Sequence, residues 1–326
     1  MDGIEEETGC GNEETIKSRR KVLKLAGSTA GAGVATGVFG HVRAAARTPP
    51  LTIIHGTQFE GRFGKRTGPN ISRYTTAVNK FRQKYPNTVF IGTGDDLAKA
   101  PLATPFGGTH IVEALNHLQL TTATIGNHDF DYGPSVLTKQ ISRSSFPWLS
   151  TNLRTTNGNP IPGSKRWVTK SINGTRVGIF GLAPQNTAEL EPTFPKNYRV
   201  INNVPAARTA VANLKAAGVD YIICGSHLAL TGSKTVAKRV DGIDAIVGDH
   251  IEHVFDKPQV IDGTVINTVG AGFHHIGAIT LTENGLDGWE QRRITRDVKP
   301  DPGMQSLTHK WRRTITLGGT AVTLPP

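Results

Sequence analysis

The sequence predicts an α/β protein whose sheets are flanked by helices. Short apolar runs alternate with segments of helical spacing through most of the chain, and the final third reads as strands joined by short turns. Gly is abundant, with 37 in 326 residues, as suits a loop-rich α/β protein better than a helical bundle.

The elements follow in order. After the Pro49-Pro50 break, Leu51 to His55 is an apolar run that reads as a buried strand. Residues 72–85 carry Tyr74, Val78 and Phe81 at helical spacing and stop at Pro86. Residues 88–91 form a second strand ending in Gly92-Thr93-Gly94-Asp95. The next helix shows Ile111, Val112, Leu115 and Leu118 on one face, and a third strand over 121–125 runs into Gly126-Asn127-His128-Asp129. Residues 148–150 make a further strand. Residues 167–172 and 175–182 form a hairpin closed by Asn173-Gly174, a dipeptide suited to the left-handed tight turn. A helix over 206–216 leads to a strand over 221–224, and a helix over 234–240 to a strand over 245–247. The segments 265–269, 278–282 and 289–295 complete the strands. With no repeat and no linker in view, residues 47–326 are expected to form a single domain.

Lys and Arg number 37 against 26 Asp and Glu, a formal net charge of +11. Residues 1–46 hold six basic and six acidic side chains, so the whole excess lies downstream. Such a field favours anionic ligands. The basic residues are scattered and aromatics are only 6%, too few for a base-stacking platform, so no specific nucleic-acid partner is expected. Cys224 lies in the apolar run Tyr221-Ile222-Ile223-Cys224 and reads as a buried structural thiol.

Before the domain, Ser18-Arg19-Arg20 is followed by Val22, Leu23 and Leu25, then by a weakly apolar stretch rich in Gly and Ala, then by Ala44-Ala45-Ala46. That order resembles a twin-arginine export signal with a small-residue cleavage site. Residues 1–46 are therefore expected to be removed, and the protein to work in the periplasm, outside the cell or at its surface. No stretch of the body is apolar enough to span a bilayer.

Four strands end in side chains able to bind a metal: Asp95, Asn127, His227 and His250. Ligands in open α/β sheets sit beyond the carboxyl ends of strands, so these distant residues can meet at one point. Gly94-Asp95, Gly126-Asn127-His128-Asp129-Phe130-Asp131-Tyr132-Gly133, Ser226-His227 and Gly248-Asp249-His250 together resemble the ordered motifs of calcineurin-like metallophosphoesterases, in their 5′-nucleotidase branch. The resemblance covers about residues 51–282. It implies a four-layer α/β/β/α sandwich of two mixed sheets between helices, holding two divalent metals.

On that resemblance Asp95 bridges both metals, and Asn127, His227 and His250 complete the second site. His128 acts at the phosphoryl centre, oriented by Asp129. The first site departs from the pattern. Gln58 stands where Asp is expected, Glu60 where His is expected, and Glu252 where His or Gln is expected. Two readings fit: a lapsed site holding one metal or none, or a rebuilt site of oxygen ligands. All three replacements remain metal-competent, which favours rebuilding and a hard cation such as Mn, Mg or Ca there, with Mn, Fe or Zn at the second site. His253 offers an alternative ligand if the loop shifts by one residue.

The implied activity is hydrolysis of phosphate mono- or diesters by a metal-bound hydroxide, on a small phosphorylated substrate such as a nucleotide. The family's nucleotide-specificity domain is expected to be absent, because the chain after Thr282 is too short for an ordinary domain. The competing expectations are a catalytically silent metal- and anion-binding relative and a single-metal enzyme.

Overall fold

The computed structural model describes residues 48–323 apart from 57, 101, 102, 318 and 319, so the export signal expected over residues 1–46 lies outside the described residues. Alternating apolar residues divide among three cores, and that division defines the layers. Strand β1 (Leu51–His55) turns Leu51 and Ile53 to one core and Ile54 to another. It pairs in parallel with β2 (Thr88–Gly92), which pairs in parallel with β3 (Thr122–Thr124), and that in turn with β4 (Trp148–Leu149). A short β5 (Leu153–Thr155) leaves this sheet and later forms a two-stranded ribbon.

The hairpin appears as β6 (Trp167–Ile172) and β7 (Thr175–Leu182), with Asn173 at φ 46° and Gly174 at φ 85°. Both turn residues are left-handed, as the sequence predicts for this dipeptide. After β8 (Tyr198–Val200), the partner of β5, the chain builds the second sheet from β9 (Tyr221–Ser226), β10 (Ala245–Val247), β11 (Gln259–Ile261) and β12 (Thr264–Asn267). It then returns to the first sheet with β13 (His275–Thr282) and β14 (Gly285–Arg293). The strand orders are β14-β13-β1-β2-β3-β4 and β11-β12-β10-β9-β7-β6. Both sheets are mixed: β1-β2-β3-β4 and β12-β10-β9-β7 are parallel runs, flanked by antiparallel β13 and β14 in the first sheet and by antiparallel β11 and β6 in the second.

Leu51, Ile53, Val89 and Ile91 from one sheet meet Val177, Ile179, Tyr221, Ile223 and Val265 from the other in the inter-sheet core. The outer face of the first sheet is covered by α1 (Ile71–Lys84), α2 (Thr109–His117) and α3 (Pro134–Arg143), through Tyr74, Phe81, Ile111, Leu115 and Leu137. After the single-turn α4 (Thr187–Leu190), helices α5 (Asn203–Ala216) and α6 (Leu230–Arg239) cover the second sheet with Ala207, Val211, Leu214 and Val236. The result is the expected four-layer sandwich. Cys224 is fully buried and burial pushes its thiol pKa up, as a structural thiol requires.

Several boundaries differ from the sequence reading for local reasons. Helix α1 begins at Ile71 because Asn70 caps it, accepting from Arg73 N–H at 3.0 Å. Helix α5 begins at Asn203 because Asn202 accepts from Val204 N–H. A last helix, α7 (Pro302–Arg313), was not anticipated; Asp301 caps it and Met304 anchors it against the first core. No described helix is long and apolar enough to cross a membrane.

His55, at the end of β1, is fully buried, with Asn267 donating to its Nε2 at 3.0 Å. Burial pushes its pKa down to about 3, so the ring stays neutral in the folded protein while it titrates near 6.5 once unfolded. Between those values only the unfolded chain takes the proton, and stability falls as pH drops below about 6.5. The expected slope is about 1 kcal/mol per pH unit. Urea denaturation at several pH values should find this slope reduced in His55→Gln; parallel profiles would contradict the assignment.

Candidate metal centre

The four strand ends singled out by sequence come from both sheets. Asp95 follows β2 and Asn127 follows β3 in the first sheet, whereas His227 follows β9 and His250 follows β10 in the second. Thr124 Oγ1 donates to Gly225 O at 3.1 Å, joining the two sheets just below this point.

His227 is fully buried, and its Nδ1 lies 2.9 Å from the carbonyl of Thr93. A carbonyl only accepts, so Nδ1 carries a proton, and in the neutral ring Nε2 presents its lone pair. That lone pair faces Asp95 Oδ2 at 2.9 Å and His250 Nδ1 at 3.1 Å. Asp95 Oδ2 and Asn127 Oδ1 are both buried without a hydrogen-bond partner. An unpartnered carboxylate oxygen and an unpartnered amide oxygen beside two imidazoles fit a divalent cation. Without one, burial works against the His227 imidazolium, but the charge and hydrogen bond of Asp95 outweigh it and raise the His227 pKa. Burial and the neighbouring His227 push His250 the other way. Burial also disfavours the Asp95 carboxylate, yet His227 holds its pKa below the usual value.

The approach is close enough to demand glycine. A Cβ on Gly94, at φ 101°, would lie 2.6 Å from His227 Nδ1, and one on Gly126 would lie 2.2 Å from Asp95 Oδ1. Asp95 itself is left-handed at φ 56°, held by accepting His128 N–H at Oδ1 over 2.8 Å.

His128 and Asp129 differ from the sequence reading. Asp129 does not orient His128. Its carboxylate accepts four backbone N–H groups, from Asp95 at 3.2 Å, Asp96 at 2.9 Å, Leu97 at 3.0 Å and Gly126 at 2.8 Å, and so fastens two loops together. Burial, then the nearby Asp95 charge, raises its pKa to about 7, while the bonds from Gly126 and Leu97 oppose that rise. The partner of His128 is Asp131, whose Oδ1 lies 2.8 Å from Nδ1. A 3-10 turn over His128–Phe130 brings the residue three places on back to the imidazole, which adjacent residues do not reach. That hydrogen bond is the main reason the His128 pKa is raised. Glu191, far away in sequence and also buried, stands 3.8 Å from the same nitrogen. Asp131 was legible as the second Asp of the NHDFD run, whereas nothing near Glu191 marked it.

The three residues of the expected first site are disposed differently. Gln58 is buried and donates its amide to the carbonyls of Asp249 at 3.0 Å and His250 at 3.1 Å. Glu60 is buried and ion-paired with Arg62 at 2.7 Å and Lys99 at 3.1 Å. Glu252 is exposed and left-handed at φ 59°. Among the described residues, the clusters of three His, Asp or Glu ligand atoms lying within 4.8 Å of one another are Asp95-His227-His250 and His128-Asp131-Glu191, without Glu60 or Glu252. His253 is turned to Asp249, 2.6 Å away.

Among curated proteins, the chain is 31% identical over 280 residues to Protein 5NUC of Lutzomyia longipalpis, covering 77% of this chain and 48% of that protein. It is 26% identical over 256 residues to the NAD 5′-nucleotidase of Haemophilus influenzae, covering 76% and 42%. The chain thus spans less than half the length of these relatives. Among solved structures, the 5′-nucleotidase precursor from Thermus thermophilus superposes with a TM-score of 0.74 at 20% identity, over 80% of this chain and 58% of that one. The calcineurin-like phosphoesterase YfkN from Bacillus subtilis does so with a TM-score of 0.69 at 20% identity, over 81% and 96%. No family model matches the chain.

Gly126→Ala is expected to force Asp95 off its present position and weaken Mn²⁺ binding by roughly 10–100-fold. Isothermal titration calorimetry measures this, and an unchanged affinity would separate Asp95 from the metal.

Proposed function

Since the chain belongs to the calcineurin-like metallophosphoesterases, on their 5′-nucleotidase branch, we propose that it is a metal-dependent phosphoric ester hydrolase acting on phosphate mono- or diesters. The observation that carries this reading is the convergence of Asp95, Asn127, His227 and His250 beside a His128 already paired with a carboxylate. Those four residues would hold a divalent cation, whose chemistry is Lewis-acid stabilisation of charge on the phosphoryl oxygens.

The chain's own residues account for the proton. Asp131 occupies Nδ1 of His128 and supports the imidazolium, leaving Nε2 to face the ester. With its pKa raised above the usual imidazole value by Asp131, His128 is suited to deliver its proton to the leaving oxygen as water adds to phosphorus and the ester P–O bond breaks. Asp129 positions the loops that carry Asp95 and His128 and does not touch the substrate.

A relative named for NAD makes nucleotides the first substrate class to try. Export through the twin-arginine route belongs to the same reading and rests on Ser18-Arg19-Arg20 and the apolar stretch after it. A dinuclear centre would need Gln58, Glu60 and Glu252 to close a second cation site beside Asp95.

The test is hydrolysis of bis(p-nitrophenyl) phosphate, AMP and a 2′,3′-cyclic nucleotide, each with Mn²⁺, Mg²⁺, Zn²⁺ and Ca²⁺. Turnover with at least one metal is expected; folded protein that turns over none would favour the silent binding relative. His128→Ala should lower kcat by about 100-fold or more at unchanged metal content, and retained activity would remove His128 from the mechanism.

A further inference from the structure

We propose that the ammonium group of Lys99 takes the place of the first metal, so that one divalent cation and one lysine together hold the anionic ligand. The inference deepens the hydrolase reading and rests on it for the nature of that ligand.

Charge balance is the first argument. Glu60 stands where the resemblance expects a neutral imidazole, and it is 2% exposed. A buried carboxylate needs a compensating cation. Here the protein supplies two, with Lys99 Nζ 3.1 Å from Oε1 and Arg62 Nη1 2.7 Å from Oε2. The Glu60 carboxylate is thus neutralised by the protein's own cations and is not free to draw a metal.

The second argument is the ligand set. Gln58 replaces an anionic ligand by a neutral amide, and both its donor contacts go to main-chain carbonyls of the loop after β10. It braces two loops where a metal-binding carboxylate is expected.

The third argument is placement. Lys99 is held where a side chain would not settle by default: its φ is 86° and that of Glu60 is 49°. Such left-handed backbone persists only where the surroundings impose it. Here Glu60 N–H bonds to Asp95 O at 2.8 Å, Gly61 N–H to Asp96 O at 2.9 Å, and Ala100 N–H to Glu60 O at 3.0 Å. These bonds pin the Lys99 loop directly to the residue that starts the metal site. The same loop thus holds the Lys99 ammonium on the Glu60 side of the metal site, where a compact cation can meet phosphoryl oxygens, the use of lysine common to many phosphate sites.

The experiment counts metals and measures anion binding separately from turnover. Protein loaded with Mn²⁺ and freed of excess is expected to retain about one Mn per chain by elemental analysis. Its electron paramagnetic resonance spectrum should be that of an isolated ion. Two Mn per chain with an exchange-coupled spectrum would overturn the proposal. Lys99→Ala, a substitution at a partly exposed residue, should keep the single Mn and weaken inorganic phosphate binding roughly 10-fold, with partial rescue in Lys99→Arg. Unchanged phosphate affinity in Lys99→Ala would also overturn it. One Mn with Lys99-dependent phosphate binding but no ester turned over would sustain the lysine and sink the hydrolase reading. Two Mn with turnover would do the reverse.

Discussion

The hydrogen bond from His227 Nδ1 to the carbonyl of Thr93 governs the rest of the centre. By fixing which nitrogen carries the proton, it turns the opposite lone pair toward Asp95 and His250, beside a buried carboxylate oxygen that has no hydrogen-bond partner. Such a buried cluster is a favourable place for a positive charge. The backbone of the loop after β2 therefore decides both the shape and the sign of the site, and Gly94 has no side chain because the imidazole lies against it.

The scaffold brings these groups together through the inter-sheet core. Alternate residues of β1, β2, β7, β9 and β10 fill the space between the sheets, which sets the carboxyl ends of β2 and β3 opposite those of β9 and β10. Neither sheet holds all four groups, so the cluster exists only while the sheets stay in register. Thr124 and Gly225 make that register specific, since the threonine hydroxyl reaches a carbonyl that any larger residue at Gly225 would block.

Much of this was legible in the chain. Continuous apolar runs along residues 51–55 and 221–224 report strands buried on both faces, and Asn173-Gly174 reports its own turn. The gathering of Asp95, Asn127, His227 and His250 followed from their shared position after strands. Three features were hidden for physical reasons. Choosing Asp131 over Asp129 depends on a 3-10 turn, and so short a stretch gives no periodicity from which to read it. Lys99 sits in irregular backbone with positive φ, where neither spacing nor hydrophobicity reports direction. Helix α7 escaped notice because its only fully buried apolar residue is Met304, too little for an apolar stripe.

The four amide bonds that end on Asp129 have a consequence of their own. Three of them join the loop after β2 to the Asp129 carboxylate and the fourth ties that carboxylate to its own loop after β3, with no metal-ligand side chain in the chain of contacts. The cradle is thus assembled by folding itself and does not wait for its ion. Loops tied in this way would keep their ligand residues in place through the loss and exchange of a bound cation.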